Sequence, residues 1–184
     1  MNKLLIFSLL LLSVLISAIY FKNSEKLTNV SKMKNATTTF IIVRHAERES
    51  SDTDPNLSSD GFTRAEELRH VLEKVAVNAI YSTPYNRTRQ TVEPLATAKG
   101  IKVKEYSTRQ SYNELINQIQ DENGGKIVVI VGHSNTIPDL LKAVSSGSSN
   151  ITINEDQFDN LFIVSPSNES RPVILQLKYG RATP

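Results

Sequence analysis

The sequence predicts a three-layer α/β/α sandwich built on a mainly parallel sheet with an antiparallel edge. Three observations predict it. Phe40-Ile41-Ile42-Val43 and Ile127-Val128-Val129-Ile130-Val131 are short, unbroken apolar runs, the pattern of strands covered on both faces. Around them strand-like and helix-like stretches alternate, as in parallel strands joined by right-handed crossovers. Finally, Phe158 to Val164 and Val173 to Tyr179 are consecutive strand-like runs around Ser-Pro-Ser-Asn-Glu-Ser-Arg-Pro, so the sheet ends antiparallel.

The elements justify themselves in order. Met1-Asn2-Lys3 is followed by Leu4 to Phe21 without a charge and then Lys22. A basic start, a Leu-rich run and the small pair Ser17-Ala18 make residues 1–22 a signal peptide or an N-terminal membrane anchor. Either would put the domain outside the cytoplasm, secreted, periplasmic or attached at the outer membrane face. Lys22, Lys26, Lys32 and Lys34 outnumber Lys3, which gives weight to the reverse orientation. Residues 23–38 are a polar linker without periodicity, and residues 39–184 form the folded domain.

The first strand stops at Arg44-His45, and Ala46 to Pro55 is a polar loop. Ser58 is suited to cap a helix with Asp60 in its first turn and Ala65, Leu68, Leu72 and Val75 on one face; His70 lies off that stripe, at the surface. Ala79-Ile80-Tyr81 is a short strand. Behind it Thr83 is placed to cap and Pro84 to open a helix to about Lys99, with Arg87 in its first turn, Arg89 at the surface, Pro94 as a kink or break and Gly100 as the stop. Ile101 to Tyr106 alternates like a half-buried edge strand, and Tyr112 to Glu122 carries Leu115, Ile116 and Ile119 on a helix. The second buried strand ends at Gly132-His133-Ser134-Asn135; Ser134 or Asn135 caps the last helix, which has Pro138 in its first turn and Gly147 at its end.

Composition excludes several functions. The 184 residues carry a net charge of +2, too small for a nucleic-acid binder. No cysteine is present, which removes disulfides, thiolate zinc sites and a cysteine nucleophile, and the three histidines match no metal motif. Neither glycine-rich nucleotide fingerprint occurs. No metal and no cofactor is expected.

Ligands of open α/β sheets bind at the carboxyl ends of the strands, so Arg44, His45, Arg87 and His133 share one edge. Two arginines beside two histidines suit a tetrahedral dianion. Guanidinium forks grip phosphate oxygens, helix N-termini beside Arg87 and His133 add backbone donors, and one imidazole can attack phosphorus if it is neutral. Neighbouring arginines disfavour the imidazolium. The nucleophile is the histidine that directly follows its arginine, His45, with His133 stabilising the transferring group.

The motifs resemble the histidine phosphatase superfamily, with its phosphoglycerate mutase-like fold, over roughly residues 39 to 179. The pieces are Arg44-His45-Ala46-Glu47, Leu57-Ser58-x-x-Gly61, Ser82-Thr83-Pro84-x-x-Arg87-x-x-x-Thr91 and Val131-Gly132-His133-Ser134-Asn135-Thr136. The resemblance implies a phosphatase of the small branch, phosphorylated on His45, with phosphate bound by Arg44 and Arg87 and the pocket completed by His133. Its partner is a small phosphorylated substrate or a phosphoprotein. Two departures stand out. Ala46 replaces a common glycine, and the family's usual proton-donating glutamate, carried on an insertion after the third strand, has no clear counterpart. Glu47 is the preferred substitute, with Glu105 and Glu114 behind it; without an acid, good leaving groups such as phosphohistidine or acyl phosphates are favoured. The alternatives are a non-catalytic phosphate-binding or sensory domain and a phosphomutase. The short connection after the third strand argues against the mutase, because water has access.

Overall fold

The computed structural model describes residues 16–24, 37–166 and 172–184. Contacts divide the chain into residues Met1–Ala36 and a compact unit, Thr37–Pro184. In the first, only the helical stretch 16–24 is described, with Ile16, Ile19, Tyr20 and Phe21 exposed. Most of the run expected to be a signal or anchor therefore lies outside the described residues, among which no helix is long and apolar enough to cross a membrane.

The second unit is organised around β1 (Thr39–Arg44). In chain order it continues with α1 (Ser59–Val71), β2 (Val77–Ser82), α2 (Asn86–Lys99), β3 (Lys104–Glu105), α3 (Tyr112–Asn123), β4 (Ile127–Gly132), α4 (Ile137–Val144), β5 (Asn160–Ser165) and β6 (Val173–Lys178). They form one sheet of order β3-β2-β4-β1-β5-β6, parallel from β3 to β1 and antiparallel from β1 through β6. Alternate residues of each buried strand feed opposite cores. Phe40, Ile42 and Ile130 pack with Leu115, Ile119, Leu140 and Val144 of α3 and α4; Ile41, Val43 and Val131 pack with Leu68, Val92 and Leu95 of α1 and α2. The three-layer α/β arrangement is thus the predicted one.

Three local features differ from expectation. Beyond the two residues of β3 the edge has no ladder, since only Lys104 and Glu105 pair, with Tyr81 and Ser82; Ile101 and Val103 still pack on the α1–α2 side. α2 runs through Pro94 without interruption, because Val92, Leu95 and Ala96 on either side of it are anchored in the core. It also starts later, with Tyr85 as N-cap and no capping side chain of its own. Asp54, from the loop after β1, accepts from Asn86 N at 2.7 Å instead.

Register places the site. Arg44 pairs with Gly132, and His45 N donates to Gly132 O at 2.9 Å, so β1 and β4 end level and the next residue of each is a histidine. α1 then closes on the loop after β1. Ser58 caps it through a bond from Gly61 N at 3.1 Å, and Gly61 lies so close to the carbonyl of Glu47 that any side chain there would collide with it.

Candidate active site

The two histidines meet. Their ring centroids are 5.3 Å apart, edge to face, and both residues are almost fully buried, 4% and 7% exposed. Nδ1 of His45 lies 2.8 Å from the carbonyl of Ala46. A carbonyl only accepts, so Nδ1 carries the proton and the lone pair sits on Nε2. Ala46 N donates to Thr91 Oγ1 at 2.9 Å, fixing the peptide that orients the ring.

His133 is held by a relay. Arg87 Nη2 donates to its Nδ1 at 3.4 Å, which leaves Nε2–H to donate to Thr83 Oγ1 at 3.1 Å. The Thr83 hydroxyl then donates to Thr88 Oγ1 at 2.7 Å, and Thr88 donates to the carbonyl of Tyr85 at 2.8 Å. Each member has one consistent role, so the tautomer is set by hydrogen bonds that reach into α2.

Both arginines of the sequence reading are present. Arg44, 3% exposed, uses Nη1 on the carbonyls of Asn154, Glu155 and Gln157 at 3.1, 2.6 and 3.2 Å, and its guanidinium lies 4.0 Å over the Phe158 ring. Arg87 donates to the carbonyl of Thr53 at 3.3 Å, is 3.9 Å from the Asp54 carboxylate and lies 4.6 Å over the Tyr85 ring. Each retains a buried Nε–H with no acceptor. Buried charged donors without acceptors at the end of a sheet are suited to bind an anion. The helix N-termini contribute less than expected, since Asn86 N is taken by Asp54, and Thr136 N and Ile137 N both donate to the carbonyl of His133.

Electrostatics favour neutral imidazoles. Burial lowers His45 to about 3, and Arg44, His133 and Arg87 push in the same direction against the bond to Ala46. Burial, then Arg87 and Arg44, lower His133 to about 4. The arginine effect anticipated from sequence is thus real but second to desolvation. Burial also lowers Arg44 to about 10, with Arg48 adding to it, and lowers Arg87. Arg48, exposed, thus adds a third positive charge felt by both guanidiniums.

These shifts set a pH dependence of stability. The unfolded chain protonates its histidines near 6.5, the folded one near 3 and 4, so between those values the unfolded state binds more protons and stability rises with pH. Thermal melts from pH 7 down to pH 4 are expected to show a loss on the order of a few kcal/mol, smaller in His133→Gln. A flat profile would contradict the buried neutral pair.

Among the proton-donor candidates, Glu47 is held in a bidentate ion pair by Arg64, Glu105 pairs with Arg89 at 3.3 Å on the surface, and Glu114 lies exposed in the first turn of α3. His70 is exposed, as read, and the described residues contain no group of three or more potential ligands that could hold a metal. Thr83, expected to cap α2, instead bonds His133, and Thr91, quoted in the motif without a role, holds the Ala46 peptide. Phe158 and the carbonyls around it lie more than a hundred positions from Arg44, and no local pattern points to them.

Comparisons with known proteins bear on the fold. Residues 40–111 match the sequence model of the histidine phosphatase superfamily (branch 1). The protein histidine phosphatase SixA, solved with tungstate, superposes with a TM-score of 0.60 at 15% identity, over 76% of this chain and 96% of that one. A protein assigned as the phosphohistidine phosphatase SixA of Agrobacterium tumefaciens gives 0.57 at 23% identity, over 76% and 97%. Phosphoserine phosphatase of Entamoeba histolytica, solved with 3-phosphoglyceric acid, gives 0.58 at 17% identity, over 79% and 98%. Among curated proteins none matches in sequence. At these identities the solved structures show a shared, phosphoglycerate mutase-like fold, and over residues 40–111 the chain is similar to the histidine phosphatase superfamily.

Proposed function

We propose that residues 39–184 form a phosphatase that hydrolyses a phosphomonoester or a phosphoramidate through a phosphohistidine on His45. The observation that carries this reading is the pair of buried guanidinium Nε–H groups without acceptors, beside two imidazoles in ring contact whose charged forms both arginines disfavour. The Nε2 lone pair of His45 attacks phosphorus, and the leaving group departs with the electron pair of its bond to phosphorus. Arg44 and Arg87 take the equatorial oxygens, where charge accumulates. A bound dianion favours a proton on Nδ1 of His133 in place of the contact from Arg87, so that the imidazole and the released guanidinium N–H both donate to the phosphoryl group. Water next attacks phosphorus, the P–N bond breaks, and inorganic phosphate leaves with His45 restored.

Substrates with good leaving groups fit best, because Glu47, the acid nearest in sequence, is bound on both oxygens by Arg64. The solved relatives include phosphohistidine phosphatases, whose substrate class has that property. A substrate panel with and without EDTA tests the reading. Phosphoramidate, phosphohistidine peptide and p-nitrophenyl phosphate are expected to turn over about 10²-fold faster than glycerol phosphate, the scale of one missing general acid, with no effect of chelator. Equal rates on glycerol phosphate would reveal an acid. Background rates on every substrate, with vanadate still bound, would leave only a phosphate-binding domain.

A further inference from the structure

A nucleophile must be aimed as well as deprotonated, and one unusual group reaches the loop that carries it. Arg64, on α1, is 2% exposed and hydrogen-bonded through all three of its nitrogens. Its Nε donates to both carboxylate oxygens of Glu47 at 3.0 Å and Nη2 donates to Oε1 at 2.8 Å. The other donors leave the loop altogether: Nη1 reaches the carbonyl of Tyr179 and Nη2 the carbonyl of Arg181, each at 2.8 Å. The Tyr179 ring lies 5.6 Å from the guanidinium. One side chain thereby ties residue 47, two places after the nucleophile, to the C-terminal tail.

The tail is itself fastened. Arg181 donates to Asp60 at 2.5 Å, Gly180 turns with a φ of +67°, and Thr183 Oγ1 donates to Asp159 at 2.7 Å while accepting from Phe158 N at 3.2 Å. Phe158 is the ring beneath Arg44. Stability alone does not account for this arrangement, because a buried ion pair gains little over an apolar pair of the same shape. A fork that fixes both oxygens of one carboxylate does gain geometry.

We propose that Arg64 is a positioning residue for phosphoryl transfer: by gripping Glu47 and the carbonyls of residues 179 and 181 together, it sets residues 45–47 so that Nε2 of His45 points in line at phosphorus. Glu47 is then the anchor of this fork and not a proton donor. The assignment deepens the reading of His45 as nucleophile and rests on it. Arg64 touches no reacting atom and acts through the loop, where an error of about 1 Å in aim costs on the order of 10²-fold in rate.

Rapid-quench kinetics on the full chain, with p-nitrophenyl phosphate and phenyl phosphate, test it in wild type, Arg64→Lys and Glu47→Gln. The rate of phosphoenzyme formation is counted per site that can be phosphorylated. Both variants are expected to slow that rate by about 10- to 100-fold on both substrates alike, with KM changing far less, and the double variant to be no slower than the worse single. Wild-type rates per site, with only a lower melting temperature, would overturn the proposal. So would a Glu47→Gln defect confined to phenyl phosphate, the poorer leaving group, because that marks an acid. Should Arg64→Lys not fold, Glu47→Gln carries the test, its carboxylate being 16% exposed at the edge of the pair. Wild type that turns over without phosphate on His45 would remove the functional reading itself, and that is seen before any variant is compared.

Discussion

Replacing His45 by alanine is expected to lower turnover of p-nitrophenyl phosphate by at least about 10⁴-fold, the scale of losing a nucleophile from a constellation that works as a unit. The acid-labile phosphate that wild type acquires during turnover should vanish with it. The reasoning is geometric. The bond from Nδ1 to the carbonyl of Ala46 leaves one free lone pair, burial keeps it unprotonated, and no other imidazole in the site presents a free nitrogen, because Thr83 and Arg87 occupy those of His133. Mass spectrometry of acid- and base-treated phosphoenzyme checks this, and full activity in the variant would refute it. The same substitution should leave vanadate binding within reach, since both arginines remain. A binding defect as large as the catalytic one would mean that the ring serves the anion and not the bond.

Arg44→Ala should produce the second largest loss, about 10³-fold in kcat/KM, at the upper end for removing one donor of a charge-stabilising site. Two effects combine. The variant forfeits an orphaned, buried donor for the phosphoryl oxygens, and it releases the carbonyls of Asn154, Glu155 and Gln157 together with the ring of Phe158. Arg44→Lys separates them, since it keeps the charge but not the fork. Kinetics with phosphate as inhibitor should show the lysine variant recovering part of the binding and little of kcat. Full recovery by lysine would reduce the role of Arg44 to charge alone.

How much of this was legible in the sequence depends on how far each partner lies along the chain. β1 and β4 were legible because burial on both faces leaves an unbroken apolar run, and the cap at Ser58 because capping is settled within three residues. Arg44, His45, Arg87 and His133 could be brought to one edge because parallel pairing puts the carboxyl ends of β1, β2 and β4 there. The start of α2 was misplaced for the opposite reason: its first N–H is satisfied by Asp54, a residue 32 positions away. Arg64 was invisible for the same cause. On α1 it reads as one more charge, and only the folded tail reveals that its donors meet carbonyls more than a hundred positions downstream. Glu47 looked like a free acid until its counter-ion was seen.

The place of β1 in the sheet has a further consequence. Among the described residues it is the first strand in chain order, yet both of its neighbours, β4 and β5, come from residues 127 onward. Loop closure of that span has to precede any reward from pairing, which makes the centre of the sheet a late and comparatively slow event in folding. A half-made chain therefore carries His45 with no second ring beside it, and the histidine pair assembles only once most of the polypeptide has been delivered.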